Sequence, residues 1–138
     1  MGKNLHYSII NFIKEQLLKC DKIMSLELIP DDNFYIIQII RKYPYEKFKI
    51  YLSDEYIYTL TDYYNKPSEI CKGDFIYIAR PEANLSNEIE LLEISLQEGI
   101  YVGKFGRLLA FMNRTLEDAH KNTMAYIKKL KEENKYKN

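Results

Sequence analysis

The chain has 138 residues, 20 basic and 20 acidic side chains, and a hydrophobic fraction of 46%. That length suits one domain able to bury a core without disulfides, and this mix of apolar and charged residues excludes an intrinsically disordered chain. A net charge of zero lacks the basic excess of a dedicated nucleic-acid binder, while leaving room for a local basic patch.

Asn4 is placed to cap a first helix running to about Cys20. Leu5, Ile9, Phe12, Ile13, Leu17 and Cys20 recur at helical spacing and make its apolar face. Lys14 and Glu15 interrupt this stretch, so it does not read as a signal peptide. No stretch approaches the ~20 apolar residues of a membrane span. The expectation is a cytoplasmic protein with no membrane partner.

From Ile23 to Ile29 the pattern alternates, and Pro30-Asp31-Asp32-Asn33 signals a turn. Phe34 to Ile40 is aromatic and β-branched, as strands are. Tyr43-Pro44-Tyr45 breaks it, and Phe48 to Leu52 alternates again. Short connections predict an antiparallel meander of three strands. Ser53 or Asp54 is then expected to cap a short helix or turn reaching Tyr64, ended by Lys66-Pro67-Ser68.

Phe75 to Ala79 is a near-continuous apolar run, the pattern of a central strand buried on both faces. Ser86 is expected to cap a helix carrying Ile89, Leu92 and Leu96 on one face and ending at Gly99. Ile100 to Phe105 then reads as a strand, which completes a βαβ unit with parallel strands. Gly106 is expected to turn the chain into an antiparallel strand from Arg107 to Met112. Thr115 and Asp118 open a last helix to about Glu133, with a frayed tail over 134–138. The predicted fold is thus a single α/β (mixed α+β) domain, 1–138. It has a mixed sheet of about six strands, an N-terminal antiparallel meander followed by the βαβ unit, and flanking N- and C-terminal helices.

Chemistry-bearing motifs are scarce. His6 and His120 have no metal-ligating neighbour at useful spacing, so no metal site is expected. Cys20 and Cys71 form no CxxC pair and read as buried, reduced thiols. No glycine-rich phosphate loop is present, and Gly103-Lys104-Phe105-Gly106 reads as a hairpin turn. Catalytic residues are not identifiable. Asp31-Asp32 reads as a turn rather than a catalytic pair. The abundance of Ile, Lys, Asn and Tyr follows AT-rich codons, so the 13 tyrosines carry no functional argument by themselves.

Two segments suggest binding. Arg80, Asn84, Ser86 and Asn87 lie between the carboxyl end of a central strand and a helix start, where open α/β sheets hold ligands and free N–H groups favour anions. A plain capped loop, with Arg80 paired to a nearby acid, is the favoured reading of the same residues. Arg41, Lys42, Tyr45, Lys47, Lys49 and Tyr51 interleave cations with aromatics, and Lys47, Lys49 and Tyr51 share one strand face. Such a face suits phosphate contacts and base stacking on DNA or RNA, although a merely solvated strand face is the favoured reading of these residues.

The run GDFIYIARPE (Gly73 to Glu82), a helix, and then EGIYVGK (Glu98 to Lys104) resembles the second half of the restriction-endonuclease-like, PD-(D/E)XK, superfamily, over about residues 73–112. The resemblance implies a nuclease-like fold, a role on nucleic acid and, for an active enzyme only, Mg²⁺. The superfamily's E/Q-x-K triplet is missing from the meander. Gln38 with Lys42, and Glu46 with Lys49, have the wrong spacing. No catalytic residue carries over, which leaves a divergent nuclease or an inactive relative that keeps a binding role. The rival expectations are a non-enzymatic homo-oligomer, with its interface in the tyrosine-rich region and last helix, and a binder of a small anionic ligand at loop 80–87.

Overall fold

The computed structural model describes residues 5–42 and 47–137, with side chains described as far as residue 134. Asn4, Tyr43, Pro44 and Tyr45 lie outside these residues. Helix α1 spans Tyr7–Leu18 and buries Ile13 and Leu17, as its periodicity predicts. His6 is its N-cap, with Nδ1 accepting the Ser8 N–H at 3.1 Å.

Strands β1 (Ile23–Ile29), β2 (Tyr35–Arg41) and β3 (Lys47–Ser53) form the expected antiparallel meander. Its register sets Leu26 beside Ile39 and Ile39 beside Phe48, and on the other face Glu27 beside Gln38 and Gln38 beside Lys49. Asp31 works as a turn residue, its Oδ1 accepting the N–H groups of Asn33 (2.8 Å) and Phe34 (2.9 Å).

After β3 the chain departs from the expected elements. Ser53 ends the strand, and neither it nor Asp54 caps a helix. A two-residue strand β4 (Ile57–Tyr58) intervenes, and the short helix α2 (Leu60–Tyr64) starts at Thr59. The Thr59 hydroxyl accepts the Asp62 N–H while the Asp62 carboxylate accepts the Thr59 N–H, a reciprocal capping box. Strand β5 (Phe75–Ile78) is buried at every residue and runs parallel to β3 on one side. On its other side it pairs, again parallel, with β7 (Tyr101–Gly103).

Between β5 and β7 lie β6 (Asn84–Leu85), paired in parallel with β4, and helix α3 (Glu88–Gln97). The βαβ unit therefore stands, but Ser86 is not the cap of α3. Its backbone N–H is drawn to the Tyr58 carbonyl at 2.9 Å by the small sheet, and Asn87 opens the helix in a left-handed conformation. Gly99 follows the helix at φ 73°, the conformation its expected position demands.

The segment expected as an antiparallel strand is helix α4 (Phe105–Met112). Leu108, Phe111 and Met112 fall at i, i+3 and i+4 and are buried on the sheet. A short apolar run cannot by itself separate strand from helix, and packing on a sheet face decides for the helix. Thr115 accepts the Asp118 N–H at 3.1 Å and starts helix α5 (Leu116–Lys137), which passes the expected end at Glu133.

The main sheet has five strands in the order β1-β2-β3-β5-β7, with β4 and β6 as a separate pair. Helices α1 and α4 cover one face, over Ile39, Phe48, Ile50 and Phe75. Helices α3 and α5 contribute Leu91, Leu92 and Ile127 to the other, over Ile36, Tyr51, Ile76 and Val102. No helix is long and apolar enough to cross a membrane among the described residues.

Gly103 marks the tightest contact of this arrangement. A Cβ there would stand 2.5 Å from Arg107 Cβ and 2.8 Å from its Cγ, atoms too near the backbone to swing away. Gly103→Ala is expected to cost about 1–3 kcal/mol through overpacking. Urea denaturation checks this, and an unchanged midpoint would mean that α4 can shift freely on β7.

Candidate ligand crevice

The parallel strands β3, β5 and β7 end at one edge of the sheet, at Ser53, Ile78 and Gly103. Open sheets hold ligands outside such carboxyl ends. Two cations emerge there. Arg80, just past β5, donates through Nε to the Asp54 carbonyl and through Nη1 to the Tyr56 hydroxyl at 3.2 Å, with its guanidinium 4.2 Å from the Tyr56 ring centre. Lys104, just past β7, donates from Nζ to the carbonyls of Pro81 (2.9 Å) and Ala83 (2.7 Å). Both side chains therefore hold the loops of this edge in place, Lys104 through two carbonyls and Arg80 through the Asp54 carbonyl and the Tyr56 hydroxyl, and the Arg80 charge also acts on the Glu55 carboxyl.

Helix α4 starts immediately after Lys104, and neither a capping side chain nor an acidic residue occupies its first turn. Its positive end thus adds to the two cations. Helix α1 crosses the opening, with Ser8, Ile9 and Phe12 facing Phe105 and Gly106 of α4. Phe12 and Phe105 meet with ring centres 5.5 Å apart. The half-open crevice measures about 540 Å³, with Tyr77, Ala79 and Pro81 completing its wall. Small-molecule sites commonly span ~300–1,000 Å³, with apolar walls and a few converging polar groups. A Cβ added to Gly106 would meet nothing within 4 Å, so the cavity extends over that glycine.

Of the expected anion-binding residues, only Arg80 lines this crevice. Asn84 sits in β6 opposite Ile57, Ser86 serves the β4–β6 pair, and Asn87 lines a separate hollow with Glu88, Glu90, Glu93 and Glu133. The start of α3 carries Glu88 and Glu90 in its first turn, and that charge disfavours an anion there. Nearby, the Glu55 carboxyl is pushed above the usual carboxylate range by burial, then by Asp62 and Asp54.

The basic and aromatic cluster is divided by the sheet. Arg41 is 1% exposed and Tyr51 5% exposed, so neither offers its side chain to a surface ligand. The Lys49 ammonium lies 3.2 Å from the buried Asp74 carboxylate. Lys42 and Lys47 are exposed, and Tyr45 lies outside the described residues. Neither cysteine is buried as expected: Cys20 is half-buried, and Cys71 is exposed, with Sγ 3.6 Å from Asp74 Oδ2. Desolvation and the Asp74 charge push its thiol up, which suppresses the thiolate that nucleophilic chemistry needs. Among the described residues, no three His, Cys, Asp or Glu side chains gather as a metal site.

Lys104, Phe105 and Gly106 escaped the sequence reading because residues 103–106 read as a hairpin turn. The available signal was the i, i+3, i+4 spacing of Leu108, Phe111 and Met112, which fits a helix but in so short a run does not exclude a strand. Comparison with protein-family models, with curated proteins and with solved structures finds no match to this chain.

Proposed function

We propose that the protein binds a small amphipathic anion, a carboxylate or phosphate ester with an apolar body, in the crevice between α1 and α4. The observation that carries this reading is the 540 Å³ apolar cavity converging on Arg80, Lys104 and the uncapped start of α4. The apolar body would rest on Ile9, Phe12, Tyr77 and Phe105, and the anionic head would meet the two cations. A nucleic-acid role has weaker support, because Lys42 and Lys47 are the exposed cations of the expected strand face and Glu27 lies two strands from Lys49 on that face.

Thermal shift with decanoate and phenylacetate, against the matching alcohols, tests the proposal. Ligand at about 100 times its Kd would add about 2.7 kcal/mol of stability, so the acids are expected to raise Tm and the alcohols to raise it less. Gly106→Leu fills open space on a helix and should abolish the shift while leaving the apo Tm intact. No shift with either acid, or an equal shift in Gly106→Leu, would overturn the assignment. Labelled single-stranded DNA and RNA at two salt concentrations form the competing arm. Salt-sensitive binding that weakens in Lys42→Gln with Lys47→Gln would favour the strand face instead.

A further inference from the structure

Lys104 also lines a second hollow, past the end of β7. This one measures about 280 Å³ and lies between the starts of α3 and α4 and the side of α5. Arg107 reaches it because residue 103 is glycine. Arg107 Cβ and Cγ lie 2.5 and 2.8 Å from where a Cβ at 103 would stand, so the arginine rests across the end of the strand. Three residues of α5 then hold the guanidinium. Nη1 donates to Asn122 Oδ1 at 3.2 Å, Nη2 donates to Thr123 Oγ1 at 3.3 Å, and the Tyr126 ring centre lies 4.3 Å from the group. These partners are neutral, and among the described residues no carboxylate forms a salt bridge with Arg107. A half-buried guanidinium held in this way keeps N–H groups and positive charge for a ligand.

The opposite charge stands nearby. Glu88, in the first turn of α3, lines the same hollow, and its Oε2 accepts the Tyr126 hydroxyl at 3.1 Å. The ring of Tyr126 thus meets Arg107 while its hydroxyl meets Glu88, which fixes both charges and keeps them apart. Burial lowers the pKa of Arg107, and the Glu88 charge offsets this only in part. A simple anion here would face Glu88, and a simple cation would face Arg107 and Lys104. A zwitterion suits both ends. Leu85 and Val102 add apolar wall. We infer that this hollow binds a small α-amino acid with a short aliphatic side chain. Its carboxylate would meet Arg107 and Lys104, its ammonium Glu88, and its side chain Leu85 and Val102. The volume falls near the lower end of small-molecule sites, as a ligand of this size requires. The hollow shares Lys104 with the crevice between α1 and α4 but is otherwise built from different residues.

Isothermal titration calorimetry of the full chain with L-valine is the test. The controls are 3-methylbutanoate, which lacks the ammonium, and isobutylamine, which lacks the carboxylate. All three are titrated into wild type and into Gly106→Leu, which fills the other crevice. L-valine is expected to bind both proteins equally, with a Kd of about 1 mM or tighter. In Gly106→Leu each control should bind about tenfold more weakly than L-valine. Glu88→Gln keeps an acceptor for the Tyr126 hydroxyl and removes the charge. It should weaken L-valine about tenfold, without weakening 3-methylbutanoate or lowering Tm. Four results would overturn the assignment: no L-valine binding tighter than about 10 mM, a control that matches L-valine in Gly106→Leu, unchanged L-valine affinity in Glu88→Gln, or L-valine binding lost in Gly106→Leu. Failure of the decanoate test on the crevice leaves these readouts unaffected.

Discussion

Arg41→Ala is expected to remove about 3–5 kcal/mol of stability, a large part of what a domain of this size possesses. The guanidinium is buried under α4 and donates to the carbonyls of Phe111 (3.3 Å), Met112 (3.1 Å) and Arg114 (2.6 Å). These lie at or just past the end of α4, where a helix leaves its last carbonyls without intrahelical partners. The charge also opposes the negative end of the helix. Its planar group lies 5.2 Å from the Phe48 ring centre and 5.8 Å from that of Phe111. Burial lowers the pKa of the group, but arginine starts high enough to stay charged.

Truncation would leave a cavity and buried carbonyls without donors. Arg41→Lys keeps the charge but loses the planar group against Phe48 and Phe111 and leaves a shorter side chain to reach the three carbonyls that Nη1 meets, so an intermediate loss of about 1–3 kcal/mol is expected. Urea denaturation gives both values, and a loss below about 1 kcal/mol for the alanine variant would show that α4 does not depend on this clamp.

Asp74→Ala is expected to cost about 2–4 kcal/mol. Asp74 is 2% exposed and stands just before β5. Its Oδ1 accepts the Lys49 N–H at 2.8 Å, and its Oδ2 accepts the Cys71 N–H at 2.9 Å. With the Lys49 ammonium 3.2 Å away, one carboxylate ties the start of β5 to β3, beside the first parallel pair, Ile50 with Phe75. Removing it strands two backbone donors and a partly buried cation. Asp74→Asn keeps an acceptor and should cost less.

A double-mutant cycle with Lys49→Met separates the ion pair from the backbone bonds. Lys49→Met is expected to do little in the Asp74→Ala background if Lys49 is committed to Asp74. An equal effect in both backgrounds would return Lys49 to the exposed strand face and to the nucleic-acid reading.

The features legible from the residues alone are those set by short-range chemistry. Alternation over 23–52 predicts the meander, the apolar run at 75–79 predicts a strand buried on both faces, Gly99 supplies a positive φ, and Thr115 with Asp118 marks a helix start. Each follows from a side chain acting on backbone within a few residues. What only the tertiary structure decided involves contacts between distant segments. The apolar run 107–112 suits either a strand or a helix until a sheet face is there to cover. Arg41 looks like a surface cation until the orphan carbonyls of α4 arrive above it. Ser86 looks like a helix cap until Tyr58 claims its N–H. The crevice is assembled from the first turns of α1, the loop after β5 and the start of α4. No local pattern encodes that meeting, because the segments come together only when the apolar faces of α1 and α4 are buried against the same side of the sheet.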